Sequence, residues 1–229
     1  MLKKDDIIII DDVFGPQVQD TLHSWLTAGD SSWYFSRDIA FADDVIERNN
    51  YRCRYGFSKT FFSVVTKVQN PMFNTIFPLV LQACDQIDFV VEQTLFSRSF
   101  LTTPIPNNDP TDYDHIHVDL IEPHLVCLYY VNDSDGDTVF FDKCVDDYLE
   151  RPDIKHAIEN IDYSVAGAGP LEIVDSLIDK SEFKIINRVT PKKGRMVFFN
   201  GYRYHSACRP TNGYRVVINN NLKGNFRSE

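Results

Sequence analysis

From Phe89 onward the chain is a succession of short segments rich in Val, Ile, Phe and Tyr, each ended by a cluster of turn residues. The segments Phe89–Leu95, Ser97–Thr102, Tyr113–Leu120, Leu125–Val131, Thr138–Phe141, Phe183–Val189, Arg195–Asn200 and Tyr214–Leu222 are expected to be strands. Asn132-Asp133-Ser134-Asp135-Gly136-Asp137 and Pro191-Lys192-Lys193-Gly194 are clear punctuation between them. Strands this short cannot bury an apolar face alone. The pattern therefore predicts a mainly β (α+β) fold, a jelly roll or barrel, with helices loaded at the N-terminus.

Ile7–Ile10 reads as a further strand. Pro16 stands where a helix can start, and Val18, Leu22, Trp25 and Leu26 follow at helical spacing. A second helical pattern covers residues 71–87, with Met72, Ile76, Leu79, Val80 and Ala83 apolar, and Pro78 within it predicts a kink or a break. Trp25 and Trp33 are expected to dock helices rather than stack on a substrate. With no repeats and no low-complexity linker, the expectation is one domain over 1–229: residues 1–88 mostly helical support, residues 89–222 the β core. An insertion at about 143–180, partly helical, is expected over one end of the barrel.

The 23 Lys and Arg against 33 Asp and Glu leave a net charge of −10, which repels phosphate backbones and makes nucleic acid a poor partner. No apolar stretch approaches the length that crosses a bilayer, and the first residues lack the apolar core of a secretory signal. The five cysteines (Cys53, Cys84, Cys127, Cys144, Cys208) are scattered and form no C-x-x-C pair, so they are expected to be reduced thiols in a cytoplasmic protein.

Among the six histidines, His117 alone has an acid two residues on, in His117-Val118-Asp119. In a strand, residues i and i+2 share a face, so this imidazole and carboxylate can converge. The same parity adds Tyr113 and His115. His205 follows the segment Arg195–Asn200, and with His117 and Asp119 it completes two imidazoles and one carboxylate. That is the facial ligand set of non-haem Fe(II), although zinc accepts three such ligands too. His115 is the alternative to His117 as ligand but has no acid at the right offset. Arg215 opens a β-segment in which Arg215, Val217 and Asn219 share a face. An inward arginine needs an anion, and its planar fork matches a carboxylate, so a metal beside it describes a site for a small dicarboxylate.

In these residues the chain resembles the Fe(II)/2-oxoglutarate-dependent dioxygenases, in their prolyl 4-hydroxylase-like branch. The matching stretches are Tyr113 to Asp119, Leu128-Tyr129-Tyr130-Val131-Asn132, Gly136 to Phe141, Pro191 to Phe199, and His205 to Arg215. The resemblance implies a double-stranded β-helix, with His117, Asp119 and His205 as iron ligands and Arg215 on the distal carboxylate of 2-oxoglutarate. It implies that Tyr130, or else Tyr129, assists Arg215 and that Tyr113 lies near the co-substrate. His115, Asn219 and Asp114 are expected along the substrate path. The implied chemistry uses Fe(II), 2-oxoglutarate and O2, with ascorbate as a candidate reductant, to hydroxylate an unactivated C–H bond, first of all of proline in a peptide or protein. A free amino acid, another metabolite or a nucleobase is the alternative substrate, and a non-catalytic jelly-roll binding module the alternative function. The family's paired glycines are here Gly136-Asp137, and the insertion has no counterpart in compact members.

Overall fold

The computed structural model describes residues 6–37, 39, 54–105, 112–161 and 169–227, so Cys53, Asp109 and the first five residues lie outside it. In chain order the elements are β1 (Ile7–Ile10), α1 (Pro16–Thr27), β2 (Tyr34–Ser36), β3 (Gly56–Ser63), β4 (Val68–Gln69), α2 (Phe73–Asp85), β5 (Phe89–Thr102) and β6 (Leu125–Tyr130). They continue with β7 (Thr138–Cys144), α3 (Asp146–Leu149), α4 (Pro152–Glu159), α5 (Pro170–Leu177), β8 (Ile185–Val189), β9 (Met196–Asn200), β10 (Arg203–Ala207) and β11 (Arg215–Phe226).

Two antiparallel sheets result. The major sheet has the order β1-β9-β6-β11-β5-β3-β2, with β4 beside β3, and the minor sheet has the order β10-β7-β8. Every residue of β6 is buried because both faces are covered, which explains its unbroken apolar run. Cys127 and Tyr129 meet the helices, in a core with Phe14, Leu22, Phe61, Ile76 and Phe198. Val126, Leu128 and Tyr130 point the other way, into the space between the sheets, with Phe140, Val197, Phe199 and Val217. This is a jelly roll braced by N-terminal helices, as expected from the segment pattern.

Four details differ from the sequence reading. Segments 89–95 and 97–102 are one strand of 14 residues, β5, which pairs along its length with β11 and takes up the irregularity in its own bulges, at Glu92 and Leu95. The N-terminal part also contributes a strand to the major sheet, β3, whose Phe62 stacks on Phe73 of α2 at 4.7 Å. Pro78 does not divide α2. It removes one intrahelical donor, but Phe73, Ile76, Val80, Ala83 and Cys84 form a buried stripe that holds the helix together as one piece. Finally, the insertion does not cap an end of the barrel. Its Ile154 and Val174 pack with Val139, Phe141 and Tyr204 on the outer face of the minor sheet, making a fourth layer.

Cys84, Cys127, Cys144 and Cys208 are free thiols, and the Cys84 and Cys127 sulfurs lie 3.9 Å apart without a bond. No described helix is long and apolar enough to cross a membrane.

Ile154 has no exposed surface, so Ile154→Ala is expected to cost about 2–5 kcal/mol in urea unfolding. A loss well under about 1 kcal/mol would mean that the insertion is not part of the cooperative core.

Candidate active site

The site lies between the sheets. Residues 113–120 do not form a continuous strand. They touch β10 at two isolated antiparallel bridges, Tyr113 to Cys208 and His117 to His205. At the second, each residue donates its N–H to the carbonyl of the other, both at 3.0 Å. The two imidazoles therefore leave the backbone side by side, with ring centroids 4.7 Å apart. Each ring is oriented in the same manner. His117 Nδ1 lies 2.8 Å from the carbonyl of His115, and His205 Nδ1 lies 3.0 Å from the carbonyl of Arg203. A carbonyl only accepts, so both Nδ1 atoms carry the hydrogen and both Nε2 atoms keep a lone pair. The surrounding protein strips water from His117, and with the repulsion of His205 this pushes it down to about 4, so the ring is neutral near pH 7.

Asp119 completes the cluster: the ligand atoms of His117, Asp119 and His205 all lie within 4.8 Å of one another, a set able to hold a metal ion. One carboxylate oxygen, Oδ2, accepts from Asn219 Nδ2 and from Asn221 Nδ2, each at 2.8 Å. The other, Oδ1, lies 3.7 Å from Arg98 Nη2 on β5. Burial raises the cost of ionising this carboxyl, but His205, Arg98, His117 and the Asn221 amide outweigh it and hold the group well below the usual range. Asp119 is a carboxylate with one oxygen fixed and the other facing the imidazoles.

Arg215 lines the same cavity from the start of β11, together with Thr138, Val126, Leu128, Phe199 and Val217. It is 4% exposed. Its Nη2 donates to Thr138 Oγ1 at 2.9 Å, and the Tyr130 hydroxyl donates to the same oxygen at 2.6 Å. Its Nε has no partner, and among the described residues no carboxylate lies within ion-pair distance of it. Burial lowers its affinity for the proton, and Tyr130 and Asp114 oppose that shift only in part. Gly136 makes room for this arrangement: a Cβ there would stand 2.7 Å from the Cys208 carbonyl and 3.2 Å from Arg215 Cδ.

Of the residues singled out in the sequence, His117, Asp119, His205, Arg215 and Tyr130 converge. Tyr129 does not. It faces the helices, 5.4 Å from Phe14, because successive residues of β6 point to opposite faces. Tyr113 is also outside the cavity, packed edge-on against Phe141 at 5.2 Å on the outer face of the minor sheet. His115 turns towards Asp175 of α5 rather than the cavity. Strand parity fails for both because the segment is irregular and Asp114 is drawn inward. Asp114 lines the cavity but receives Arg209 Nε at 3.0 Å, with Arg54 Nε at 3.6 Å. Asn219 lines the cavity too, with its amide committed to Asp119. Asn221, Thr138 and Arg98 were not anticipated as site residues. Asn221 follows from Asn219 by the same alternation, and Thr138 from facing Arg215 across the sheets.

The insertion reaches the ligands from behind. Lys180 Nζ donates to the carbonyl of Ile116 at 2.6 Å, pairs with Asp175, and lies 5.5 Å from the Tyr204 ring centroid. It thus contacts the residue next to each imidazole ligand.

No family model matches this sequence, and no curated protein does. Solved structures match by fold. The chain is similar to the epimerase SnoN in complex with Fe3+, alpha ketoglutarate and nogalamycin RO, at TM-score 0.58 and 11% identity over 99% of this chain and 83% of that one. It is similar to HygX from Streptomyces hygroscopicus with nickel and 2-oxoglutarate bound, at TM-score 0.54 and 15% identity over 100% and 86%. It is also similar to a prolyl hydroxylase from Trichoplax adhaerens in complex with a hypoxia inducible factor peptide, at TM-score 0.54 and 10% identity over 96% and 84%. The jelly roll of this chain is therefore the double-stranded β-helix of those proteins.

Replacing Asn221 by Ala removes one of the two amides on Asp119 Oδ2. Calorimetric titration with Mn(II) is expected to show affinity reduced about tenfold, with the circular dichroism spectrum retained. Equal affinity would mean that Asp119 is oriented by its other contacts. Gly136→Ala, by crowding the Cys208 carbonyl, the Pro210 nitrogen and Arg215 Cδ, is expected to weaken the binding of a small dicarboxylate at Arg215 several-fold while leaving Mn(II) affinity unchanged.

Proposed function

We propose that this chain is a non-haem Fe(II)- and 2-oxoglutarate-dependent dioxygenase that hydroxylates an unactivated C–H bond. The observation that carries the reading is Arg215, a buried cation without a carboxylate partner, facing the same cavity as a three-ligand cluster of two imidazoles and one carboxylate. The cluster alone would serve a zinc hydrolase equally well. A hydrolase would need such a guanidinium only for an anionic substrate, whereas a keto-diacid that chelates a metal and extends a second carboxylate always needs one. The likeness of fold to proteins crystallised with Fe3+ or nickel and 2-oxoglutarate supports the same choice.

The residues fit the group. His117 Nε2, His205 Nε2 and a carboxylate oxygen of Asp119 would hold Fe(II) and leave it room to bind 2-oxoglutarate and O2. When bound, the iron lets 2-oxoglutarate and O2 yield succinate, CO2 and a hydroxylated substrate, one oxygen atom entering each organic product. The chain supplies binding and order. Arg215 and the Thr138 hydroxyl take the far carboxylate, and Tyr130, donating to Thr138, holds that hydroxyl in place so that its own hydrogen can turn to the ligand. Val126, Leu128, Phe199 and Val217 wall the cavity with apolar surface, which keeps bulk water from the reacting carbon. The Nδ1 contacts and the two asparagine amides fix the ligand atoms before any metal arrives, so little reorganisation opposes binding.

For the substrate, proline in a peptide is our first candidate, on the stretches shared with the prolyl 4-hydroxylase-like branch and the fold likeness to the Trichoplax enzyme. A free amino acid or other small metabolite is the second, supported by the likeness to SnoN, which was crystallised with a small molecule.

Purified protein with Fe(II), ascorbate and O2 is expected to convert 2-oxoglutarate to succinate, and His117→Ala and Asp119→Ala are expected to abolish this. Arg215→Ala is expected to raise the 2-oxoglutarate concentration required by about a hundredfold, as for loss of a charged bidentate contact. Undiminished turnover in the His117 and Asp119 variants would refute the assignment. Mass spectrometry of proline peptides and free amino acids, read for gain of one oxygen atom, separates the two substrate classes.

A further inference from the structure

We infer that Arg98 binds an anionic group, a carboxylate, on the substrate. The inference rests on the oxygenase reading and names the chemistry of the molecule it oxidises. Arg98 stands on β5 directly opposite Asn219 of β11, beside the cavity rather than among its lining residues. Its guanidinium carbon lies 4.9 Å from the ring centroid of Phe96 and 5.3 Å from that of Phe100, and Phe100 also lines the cavity. Two aromatic side chains on the same face thus brace the planar group and limit its rotamers, as a preorganised binding residue requires.

Charge decides what it is braced for. Arg54 and Arg209 are matched by Asp112 and Asp114, and Lys180 by Asp175. With the site loaded, the divalent metal and Arg215 are balanced by the dianionic 2-oxoglutarate and Asp119. Arg98 then remains as one uncompensated positive charge. Among the described residues its one ion-pair neighbour is Asp119, at 3.7 Å, too long for a strong hydrogen-bonded pair, and metal binding at Asp119 would draw that carboxylate's charge away from it. Its Nε is buried with no partner, while the side chain as a whole is 28% exposed, so a ligand can reach it. An incoming carboxylate would restore neutrality beside the metal. The apolar walls next to it suit the hydrocarbon part of the same molecule. In a protein of net charge −10, this is a local attraction for an acid set against general repulsion, which favours selectivity over promiscuous capture.

The test uses the full chain loaded with Co(II) in place of iron and saturated with 2-oxoglutarate, so that Arg215 is already occupied. Butyrate and butyramide, equal in shape and different in charge, are titrated separately while the visible Co(II) bands are followed. Butyrate is expected to change the spectrum saturably and butyramide not. In Arg98→Gln the butyrate affinity is expected to fall at least about tenfold, and in Arg98→Lys to be partly retained. Metal and 2-oxoglutarate titrations of each variant, together with its circular dichroism spectrum, establish that the site is intact. An equal response to the two probes, no response to butyrate, or the same butyrate affinity in Arg98→Gln would overturn the inference. Absence of any 2-oxoglutarate-dependent change in the unaltered protein is a separate result, which would sink the oxygenase reading and this inference with it. If acids are bound as expected, N-acetyl-proline against its amide, and peptides with a free against an amidated C-terminus, tell a small acid from an acidic peptide.

Discussion

Two hydrogen bonds exchanged between the backbones of His117 and His205 set the geometry on which the site depends. A pair of residues that trade both N–H groups in an antiparallel contact must place their side chains on the same side, next to each other. Once that is fixed, each imidazole needs only one more constraint, and the carbonyl two residues upstream provides it in both cases. The cluster is thus a property of backbone pairing, with side-chain contacts refining it. An irregular segment suffices to carry His117, because only its pairing with β10 at that one point is required.

The remaining chemistry is distributed by strand alternation. β11 alone presents Arg215, Val217, Asn219 and Asn221 along one face, so one strand carries the anion anchor, an apolar wall and both amides that fix Asp119. β6 separates two cores by the same rule, giving Tyr130 to the cavity and Tyr129 to the helices. A shift of register by one residue in either strand would exchange these faces and dismantle the site. The pairing of β11 with β5 on one side and β6 on the other holds that register.

Much of this was legible in the sequence where the rules are local. The i, i+2 spacing of His117 and Asp119, the distant His205 and an arginine opening a β-segment each follow from elementary geometry and charge. What failed was extrapolation of a strand through an irregular stretch. Tyr113 and His115 were assigned by parity to a face that the chain does not maintain, because two guanidinia, from Arg209 and Arg54, pull Asp114 inward. Arg98 carries no local signal of a place at the site. That its partner is Asp119 depends on β5 and β11 pairing over more than a hundred residues of chain, and no local pattern announces it. β3 escaped notice for a related reason: only Phe61 and Phe62 near its end join the helical core, while the rest alternates polar residues with Phe57, which packs on Phe35 of β2, so neither its composition nor its length stands out.

The layer of helices outside the minor sheet also bears on how this scaffold can be altered. Lys180 is the end of that connection, and its ammonium is buried between Asp175 and the carbonyl preceding His117. Exchanging the stretch between β7 and β8 for a shorter or foreign loop, an obvious route to a recombinant chimera, would remove Asp175 and Lys180 together and take from the Ile116 carbonyl its ammonium donor. A replacement loop must therefore either keep Asp175 and Lys180 or bring another donor to the carbonyl that precedes His117.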